Sequence, residues 1–480
     1  MQRTYAGTLL VAALVGCNAG VRTSGAPATT VSFGGATLDH EQLRRVLADM
    51  PKGGDLHNHM SGSVYAESYV RWAAEDGVCI VRATATSVRG PCAQMSDRVP
   101  ATQVLADSAL QRDIIDAWSM RAWNPARESG ADHFFATFAK FSVAASGARF
   151  GDMVAEDASR AAAQHVSYLE LMANPEGSSI SRLGTRAGMS TDFAAMRARI
   201  DGMGLHDSLV AISRMIDRAE ARERELLRCG TPQADAGCTV VVRYLYQVIR
   251  SRPPEQVFAQ ILAGYEIQAV DPRVVGFNLV APEHGDVAVR DFSLHMSMID
   301  KLHGDFPTAH ITLHAGELAV GVFSAEQLAS GLDPAAVLRS HIRQSVEAGH
   351  AERIGHGVDV LGEEDSAGLL REMAQRHILV EIALTSNDLI LGVRGAQHPL
   401  HAYLAAGVPV ALATDDPGVS RSDMTQEFVK AVEEQQLDYP TLKRMVRSSL
   451  EHAFAEPAVK ARLQAQLEAD LIRFERDHIR

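Results

Sequence analysis

Eight short runs of branched apolar residues recur along this chain, and stretches with helical periodicity separate them. Continuous Val-, Ile- and Leu-rich runs are typical of parallel strands buried on both faces, and apolar residues recurring every three or four positions indicate amphipathic helices. This alternation predicts an α/β fold, a closed (β/α)8 TIM barrel, with an open doubly wound sheet as the alternative. The chain contains neither a GxGxxG nor a Walker motif to favour the open sheet. The predicted strands cover residues 54–60, 166–173, 239–249, 274–280, 311–317, 353–359, 379–386 and 408–415.

The composition is that of a folded globular protein, with 46% hydrophobic and 22% charged residues among 480. The formal net charge is −13, and the sequence has no basic tract. An acidic surface repels phosphate backbones, so we expect no nucleic-acid partner.

The first residues predict an export signal. Arg3 precedes an apolar run over residues 6–15, which is too short to span a bilayer as a stable helix. A small residue followed by Cys17 resembles a bacterial lipobox, so residues 1–16 are predicted to be a lipoprotein signal peptide and Cys17 the lipidated N-terminus. A plain secretory signal with a chance cysteine is the alternative. Asn18 in the next position favours the outer membrane, and the protein is expected on the periplasmic side of the cell envelope.

Beyond the signal, composition divides the chain in two. Residues 17–40 are rich in Gly, Ala, Ser and Thr and predict a flexible tether, and residues 41–480 are predicted to form the barrel domain. Segments that look like additions to the barrel are residues 78–128, 175–192 and 212–238.

Four cysteines remain if Cys17 carries lipid, and they form two close pairs. The pairs are Cys79 with Cys92 and Cys229 with Cys238. In an oxidising compartment these predict two local disulfides, and four free thiols are the alternative.

Imidazoles and carboxylates follow four of the predicted strands. The carboxyl ends of the strands form the active face of a barrel, so we expect these side chains to meet in one mouth. They are His57 and His59 after the first strand, His314 and Glu317 after the fifth, His356 after the sixth, and Asp415 and Asp416 after the eighth.

The residue types in this mouth fit a metal site. Neutral imidazole and carboxylate oxygen are good ligands for Zn²⁺, and the predicted ligands of one ion are His57, His59, His314 and Asp415. Four protein ligands usually make a closed structural site. Glu317, His356 and Asp416 are surplus to that set, and a metal-bound water with a pKa of about 7 would give them catalytic work.

Single motifs in this set have simpler interpretations. His356 between two glycines is also typical of a tight turn, and the Asp-Asp-Pro sequence ending at Pro417 is also a helix-start signal. Glu170 and Glu381 interrupt apolar strands and are predicted to lie inside the barrel near the site. The remaining histidines of this region are predicted at the surface or in support of the site: His284, His295, His303 and His310.

The order of these motifs resembles the adenosine deaminase family of metal-dependent hydrolases. The motifs are PKGGDLHNH, ITLHAGE, RIGHGVDV, LTSN, HPL, GVPVALATDDP and then MVRSSLEHAF. The export signal and the added segments are similar to the secreted, growth-factor-related branch. The resemblance implies a TIM barrel with one Zn²⁺ per chain that hydrolyses adenosine, or a related adenine nucleoside, to the inosine-type product and ammonia.

The resemblance also implies roles at matching positions. His57, His59, His314 and Asp415 match the zinc ligands, and Glu317 matches the acid that donates a proton to purine N1. His356 and Asp416 match the groups that hold and deprotonate the attacking water. Attack at C6 places negative charge toward N1, which a protonated Glu317 would neutralise.

Two positions depart from the family pattern. Ser61 stands where members that bind adenosine usually carry an aspartate that contacts the sugar, and Ala281 stands where a glycine backbone usually meets the purine. His59, Ser61 and Ala281 are the expected substrate contacts. The substrate therefore stays open among adenosine, 2'-deoxyadenosine, a larger adenine derivative and another aminated heterocycle.

Three other functions compete with this one. Related barrels hydrolyse amides, lactones and phosphoesters, often with two metals and a bridging lysine, but no lysine follows the early strands at a suitable place. A non-catalytic lipoprotein that binds nucleosides would not need Glu317, His356 and Asp416. A cytidine-deaminase type needs HxE with PCxxC, and Met95 stands where the second cysteine should follow Cys92.

Overall fold

Eight parallel strands form a barrel in the computed structural model, which describes residues 30–92, 96–175 and 177–479. The predicted signal peptide and Cys17 lie outside the described residues. The barrel strands are β1 Gly53–His59, β2 Val166–Ala173, β3 Val241–Ile249, β4 Val274–Val280, β5 Thr312–Ala315, β6 Arg353–His356, β7 Leu379–Ile382 and β8 Val410–Leu412.

Two four-stranded parallel sheets close on each other to make this barrel. One contains β1 to β4 and the other β5 to β8, each in chain order. Single bridges join the sheets at both edges, between Asn58 and Asp415 and between Phe277 and Ile311. The predicted TIM barrel is confirmed, and the open-sheet alternative is wrong because both edges are joined.

All eight predicted strands exist, but the last four end earlier than the apolar runs. β7 stops at Ile382 because residues Leu384–Leu391 turn into a helix, so the LTSN motif is helical. β6 stops at His356 and β8 at Leu412, since His356 has φ +68° and Asp415 has φ +60°. A left-handed residue cannot continue an extended strand.

Helices alternate with the strands. They are Phe150–Ala163, Leu205–Leu226, Pro254–Val270, Asp286–His303, His341–Glu347, Ser366–Gln375, Leu400–Ala406 and Tyr439–Glu451, with Pro457–His478 closing the domain. Tyr439–Glu451 begins where the Asp438 carboxylate accepts the N–H of Thr441, which is a favourable helix cap. The helical periodicity of the sequence predicts helices over residues 289–303 and 334–349. The first prediction is confirmed by Asp286–His303, whereas the second range divides into Pro334–Val337 and His341–Glu347.

Further helices fill the connections. The α-helical ones are His40–Asp49, Met60–Ser63, Ala66–Glu75, Ala101–Ala106, Ser108–Ala117, Gly130–Phe141, Ser179–Ala187, Phe193–Gly202, Ala325–Ala329, Leu384–Leu391, Pro417–Ser420 and Met424–Glu433. Single 3₁₀ turns cover Met120–Ala122, Gly147–Arg149, Ala236–Thr239, Val320–Val322, Val360–Gly362 and Gly395–Gln397. In the part of the chain that is described, no helix has both the length and the apolar character to cross a bilayer.

The segment 78–128 between β1 and β2 builds a small antiparallel sheet of its own. Its strands are Cys79–Val81, Thr86–Val88 and Arg98–Pro100. Both predicted disulfides are formed, Cys79–Cys92 here and Cys229–Cys238 after helix Leu205–Leu226.

The end of the predicted tether is folded. Strands Val31–Phe33 and Ala36–Leu38 pair as an antiparallel hairpin. The Phe33 side chain is buried, and its ring centre lies 6.0 Å from that of Tyr439. The prediction of a flexible segment over residues 17–40 is therefore wrong for this hairpin, because Phe33 gains an apolar contact with the C-terminal helices.

Candidate active site

The four predicted metal ligands converge at the carboxyl ends of β1, β5 and β8. The His314 Nε2 atom lies 3.0 Å from His57 Nε2 and 3.1 Å from His59 Nε2. Asp415 Oδ1 lies 3.6 Å from His57 Nε2 and 3.4 Å from His59 Nε2. In a tetrahedral site with Zn–N distances of about 2.0–2.1 Å, donor atoms stand about 3.3 Å apart. These four distances lie within about 0.3 Å of that spacing.

The seam between β1 and β8 places three of these ligands. His59 N–H donates to the Asp415 carbonyl at 2.8 Å, and Asp415 N–H donates to the His57 carbonyl at 2.9 Å. His57 and His59 are two apart on a strand, so they point to the same face. The backbone hydrogen bonds that close the barrel between β1 and β8 therefore also bring these candidate ligands together.

Hydrogen bonds fix which ring nitrogen of two histidines faces the centre. His57 Nδ1 lies 2.6 Å from Glu381 Oε2, and His314 Nδ1 lies 2.9 Å from Asn278 Oδ1. Both oxygens accept, so each Nδ1 carries a proton and each Nε2 presents a lone pair to the other at 3.0 Å. Two such lone pairs repel unless a proton or a metal ion lies between them.

The electrostatics of the site favour a positive charge at its centre. Although burial lowers it, the neighbouring carboxylates of Asp415 and Glu381 raise the pKa of His57 to about 10. Asp415 is buried, its Oδ2 accepts the Ser386 hydroxyl at 2.6 Å, and its Oδ1 has no hydrogen-bond partner among the described residues. The donor set therefore fits a metal ion, which would supply the charge that a proton on His57 otherwise supplies.

A buried ionic network inside the barrel holds Glu381, the hydrogen-bond partner of His57. Glu381 also forms an ion pair with Arg353, with 2.7 Å between Oε1 and Nε, and Arg353 pairs in turn with Glu170. All three side chains are at most 1% exposed, so the charges are compensated within the barrel. The prediction that Glu170 and Glu381 lie inside the barrel is confirmed, and Glu381 directly orients a candidate ligand.

His59 is held by a residue that the sequence interpretation missed. The Gln247 amide nitrogen, on β3, lies 2.9 Å from His59 Nδ1. No other hydrogen bond within the described part fixes which end of this amide faces the ring. With its oxygen turned to the ring, the amide accepts the Nδ1 proton and leaves Nε2 free for a metal ion.

The three surplus polar residues lie beside the ligands, in the same buried region. Glu317 Oε1 is 3.7 Å from His356 Nε2, and Asp416 follows Asp415 directly. Burial, and then the charge of Asp415, hold the pKa of Glu317 and that of Asp416 well above their usual range. Burial lowers the pKa of His356 to about 3. Glu317 is therefore able to hold a proton near neutral pH, while His356 is neutral.

His356 is close enough to compete with His59 as a ligand. The group His57, His314, His356 and Asp415 also offers donor atoms within 4.8 Å of one another. Asn387 Nδ2 lies 3.0 Å from His356 Nδ1, however, and an amide N–H at that nitrogen places the ring proton on Nε2. A protonated nitrogen cannot bind a metal ion, so this hydrogen bond favours the predicted ligand His59 over His356.

Glu283, a residue that was not predicted, positions the Glu317 loop. The Glu283 carboxylate is fully buried and accepts the N–H groups of Gly316 at 3.1 Å and Glu317 at 2.9 Å. His341 Nδ1 lies 2.6 Å from the same carboxylate. The only sequence signal was the carboxylate in LVAPE, directly after β4.

A cavity of about 390 Å³ opens beside the ligands and the surplus residues. Its polar lining includes His59, Ser61, Glu317 and Asp416, and Ala281 also lies on its wall. The expected substrate contacts therefore all border it. Its apolar lining comprises Phe134, Phe135, Phe138, Ile249, Val280 and Pro282.

Three phenylalanines of helix Gly130–Phe141 make the aromatic part of this wall. The sequence interpretation missed them, although HFFATFAKF spaces them for one helix face. The insertion supports this helix from both ends, through His133 Nε2 at 3.1 Å from the Ser119 carbonyl and Lys140 Nζ at 3.2 Å from the Ala117 carbonyl.

Arg250 holds the backbone at the ends of β4 and β5. Its Nε donates to the Ala281 carbonyl at 2.8 Å and its Nη1 to the His314 carbonyl at 3.0 Å. Ala281 has φ +90°, a conformation that favours glycine, so this bond stabilises a strained turn at the cavity wall.

Comparison with known proteins places the chain in a family. Residues 107–470 match the family described as Adenosine deaminase. An adenine deaminase of Sinorhizobium fredii is 30% identical over 245 residues, which are 51% of this chain and 66% of that protein. An adenosine deaminase of Enterococcus faecalis is 29% identical over 196 residues, which are 41% of this chain and 50% of that protein. The alignments thus span about half to two thirds of these relatives.

A solved structure shows the same fold over nearly the whole chain. The structure of Arabidopsis ADAL complexed with IMP superposes with a TM-score of 0.57 at 19% identity, covering 89% of this chain and 99% of that one. Because the family match covers well over half of the sequence, the chain belongs to the adenosine deaminase family.

Proposed function

We propose that this protein is a zinc-dependent hydrolase that removes the 6-amino group of adenine nucleosides, giving the inosine-type product and ammonia. One observation carries this proposal: four metal-binding atoms meet beside a proton-holding carboxyl group in a cavity that admits a small molecule. Relatives named adenine deaminase and adenosine deaminase favour the same reaction.

Zinc suits the donor set. Three imidazole nitrogens and one carboxylate oxygen are typical of Zn²⁺, whereas Mg²⁺ and Ca²⁺ prefer oxygen ligands. Bound by His57, His59, His314 and Asp415, the ion supplies Lewis-acid activation of water near neutral pH.

The chain's own residues handle the protons. A protonated Glu317 donates to ring N1 as C6 becomes tetrahedral, because its raised pKa keeps the proton available until charge develops there. Asp416 has an Oδ1 atom with no partner among the described residues. The positive charge of a bound ion beside it would favour its carboxylate form despite burial, so that it would accept a proton from the attacking water. Water gives its oxygen to C6. One of its protons leaves with ammonia, and the other restores the proton that Glu317 gave to N1.

The charges around the cavity favour an uncharged nucleoside. Among the described residues, its lining includes Glu317, Asp415 and Asp416 but neither lysine nor arginine. A 5'-phosphate would find no lysine or arginine among these lining residues to bind it. We therefore expect adenosine or 2'-deoxyadenosine to be preferred over AMP.

A substrate panel tests this function. The purified zinc-loaded protein is mixed with adenosine, 2'-deoxyadenosine, adenine and AMP, and ammonia release and the fall in absorbance at the adenosine maximum are followed. We expect kcat/KM to be highest for a nucleoside and at least about 100-fold lower for AMP, equivalent to about 2.7 kcal/mol. Protein that holds one zinc per chain but releases no ammonia from any of the four would refute the proposal.

We also propose that the protein is exported and anchored through a lipid on Cys17. The lipobox-like sequence suggests this, and the two disulfides fit an oxidising compartment. A purine-converting enzyme placed there would act on nucleosides outside the cytoplasmic membrane.

A further inference from the structure

A chain of three hydrogen bonds runs from the backbone into the active site. Leu400 N–H lies 3.2 Å from His398 Nδ1, and His398 Nε2 lies 3.1 Å from Asn387 Oδ1. Asn387 Nδ2 then lies 3.0 Å from His356 Nδ1. Asn387, His398 and His356 are all at most 3% exposed, so water does not compete for these bonds.

The direction of every bond in this relay follows from its first member. A peptide N–H can only donate, so His398 Nδ1 must accept and the neutral ring carries its proton on Nε2. That proton goes to Asn387 Oδ1, which fixes the amide orientation and turns its N–H₂ group to His356. Burial lowers the pKa of His398 to about 4, which keeps the ring neutral as this sequence of donors requires.

These hydrogen bonds leave only one tautomer for the neutral His356 ring. Its Nδ1 accepts from Asn387, so the neutral ring carries its proton on Nε2. That nitrogen is buried, has no hydrogen-bond partner among the described residues, and lies 3.7 Å from Glu317 Oε1. The relay thus presents one N–H donor to the reaction site.

We propose that Asn387 and His398 are positioning residues that hold His356 as an Nε2–H donor toward the attacking oxygen. The catalytic consequence rests on the proposed function: His356 orients the water and has no lone pair to deprotonate it, so Asp416 takes the proton. The same arrangement keeps His356 out of the ligand set, although it lies next to three of the ligands. Asn387 belongs to the LTSN motif and His398 to the HPL motif, and neither residue lines the cavity.

Nitrogen NMR of histidine-labelled protein tests the relay without relying on activity. Ring nitrogens of His356 are assigned by their loss in His356→Gln, and their protonation is read in the metal-free and zinc-loaded full-length protein. We expect Nε2 to carry the proton and Nδ1 to lack it in both forms. In Asn387→Asp the carboxylate can only accept, so the proton must appear on Nδ1. A protonated Nδ1 in the wild type, or an unprotonated Nδ1 in Asn387→Asp, would overturn the proposal.

Kinetics then test the consequence. We expect Asn387→Asp to lower kcat by about 100-fold or more with KM changed less than about threefold, since general acid–base and tautomer effects of this kind reach 10²–10⁴. His398→Phe removes the donor that fixes the Asn387 amide, so the amide can rotate by 180° and present its oxygen to His356. We therefore expect kcat to fall in this variant too. His295→Phe is the matched control, because His295 is equally buried but lies outside the relay on helix Asp286–His303.

The NMR and kinetic experiments together distinguish failure of this inference from failure of the proposed function. Equal loss of kcat in His295→Phe and His398→Phe would show a general packing effect and overturn the positioning role. If the wild type deaminates nothing, the proposed function fails, while the NMR result still decides whether the relay sets the His356 tautomer.

Discussion

Zinc binding should release about one proton per chain at neutral pH, because the metal-free site already holds a positive charge. The pKa of His57 is about 10, so this ring is a cation at pH 7. Burial lowers the pKa of His59 to about 4 and holds that of His314 well below its usual value, so both are neutral there. Only His57 must lose a proton before its Nε2 can bind the ion.

The magnitude follows from that count. When binding releases one proton, the apparent affinity falls about tenfold for each unit by which the pH drops. Between pH 8 and pH 6, where His57 stays protonated and the other two rings stay neutral, the apparent Kd for zinc should rise about 100-fold, or about 2.7 kcal/mol. At pH values approaching 4, His59 also becomes protonated and the dependence should become steeper.

Isothermal titration calorimetry of the metal-free protein measures this directly. Zinc is titrated at pH 7 in two buffers whose ionisation enthalpies differ, and the difference in observed enthalpy gives the number of protons released. Glu381→Gln is the informative variant, since losing that carboxylate lowers the pKa of His57 and should make the pH dependence shallower. Release of no proton, or of three, would contradict the charge assignment for the three rings.

Three further predictions concern residues outside this titration. Glu317→Gln should retain one zinc per chain by metal analysis but lose about 10²–10⁴ in kcat, because the amide cannot transfer a proton; activity within tenfold of wild type would contradict the acid role. Replacing Cys79 and Cys92 together by alanine removes a disulfide that spans a sequence separation of 13, and should lower the free energy of unfolding by about 3 kcal/mol in urea titrations; an unchanged midpoint would contradict this. Cys17→Ser should abolish incorporation of labelled palmitate and release the protein from the membrane fraction; unchanged fractionation would argue for a different anchor or none.

The sequence was sufficient for the barrel because its strands are apolar on both faces. Such runs are distinctive, and all eight lie close to their predicted positions. The candidate ligand residues could be recognised for a related reason, since each polar cluster follows such a run. The hairpin around Phe33 could not be found, because its partner Tyr439 lies about four hundred residues away and the local composition is that of a linker.

The groups that orient the ligands were harder to predict than the ligands themselves. Glu381 was expected inside the barrel, but its pairing with His57 depends on the register of β7 against β6 and on Arg353 beneath it. Asn278 and Gln247 look like ordinary polar residues within strands, and nothing local distinguishes them. Such roles arise from barrel closure, which brings together residues far apart in sequence.

The strand ends show why prediction failed where the chemistry lies. β6 ends at His356, β8 ends three residues before Asp415, and β4 is followed by Ala281. All three of these residues have positive φ without being glycine. A left-handed residue of this kind costs about 1–2 kcal/mol and persists only when its surroundings hold it. Here the surroundings are identifiable: Asn387 bonds the ring of His356, the β1 seam holds the backbone of Asp415, and Arg250 holds the carbonyl of Ala281. Each strained residue borders the candidate metal-binding atoms or the cavity, so the strained backbone turns functional groups toward the site. A prediction based on apolar runs extends the strands through these residues, because the contacts that bend the backbone there come from other strands and helices.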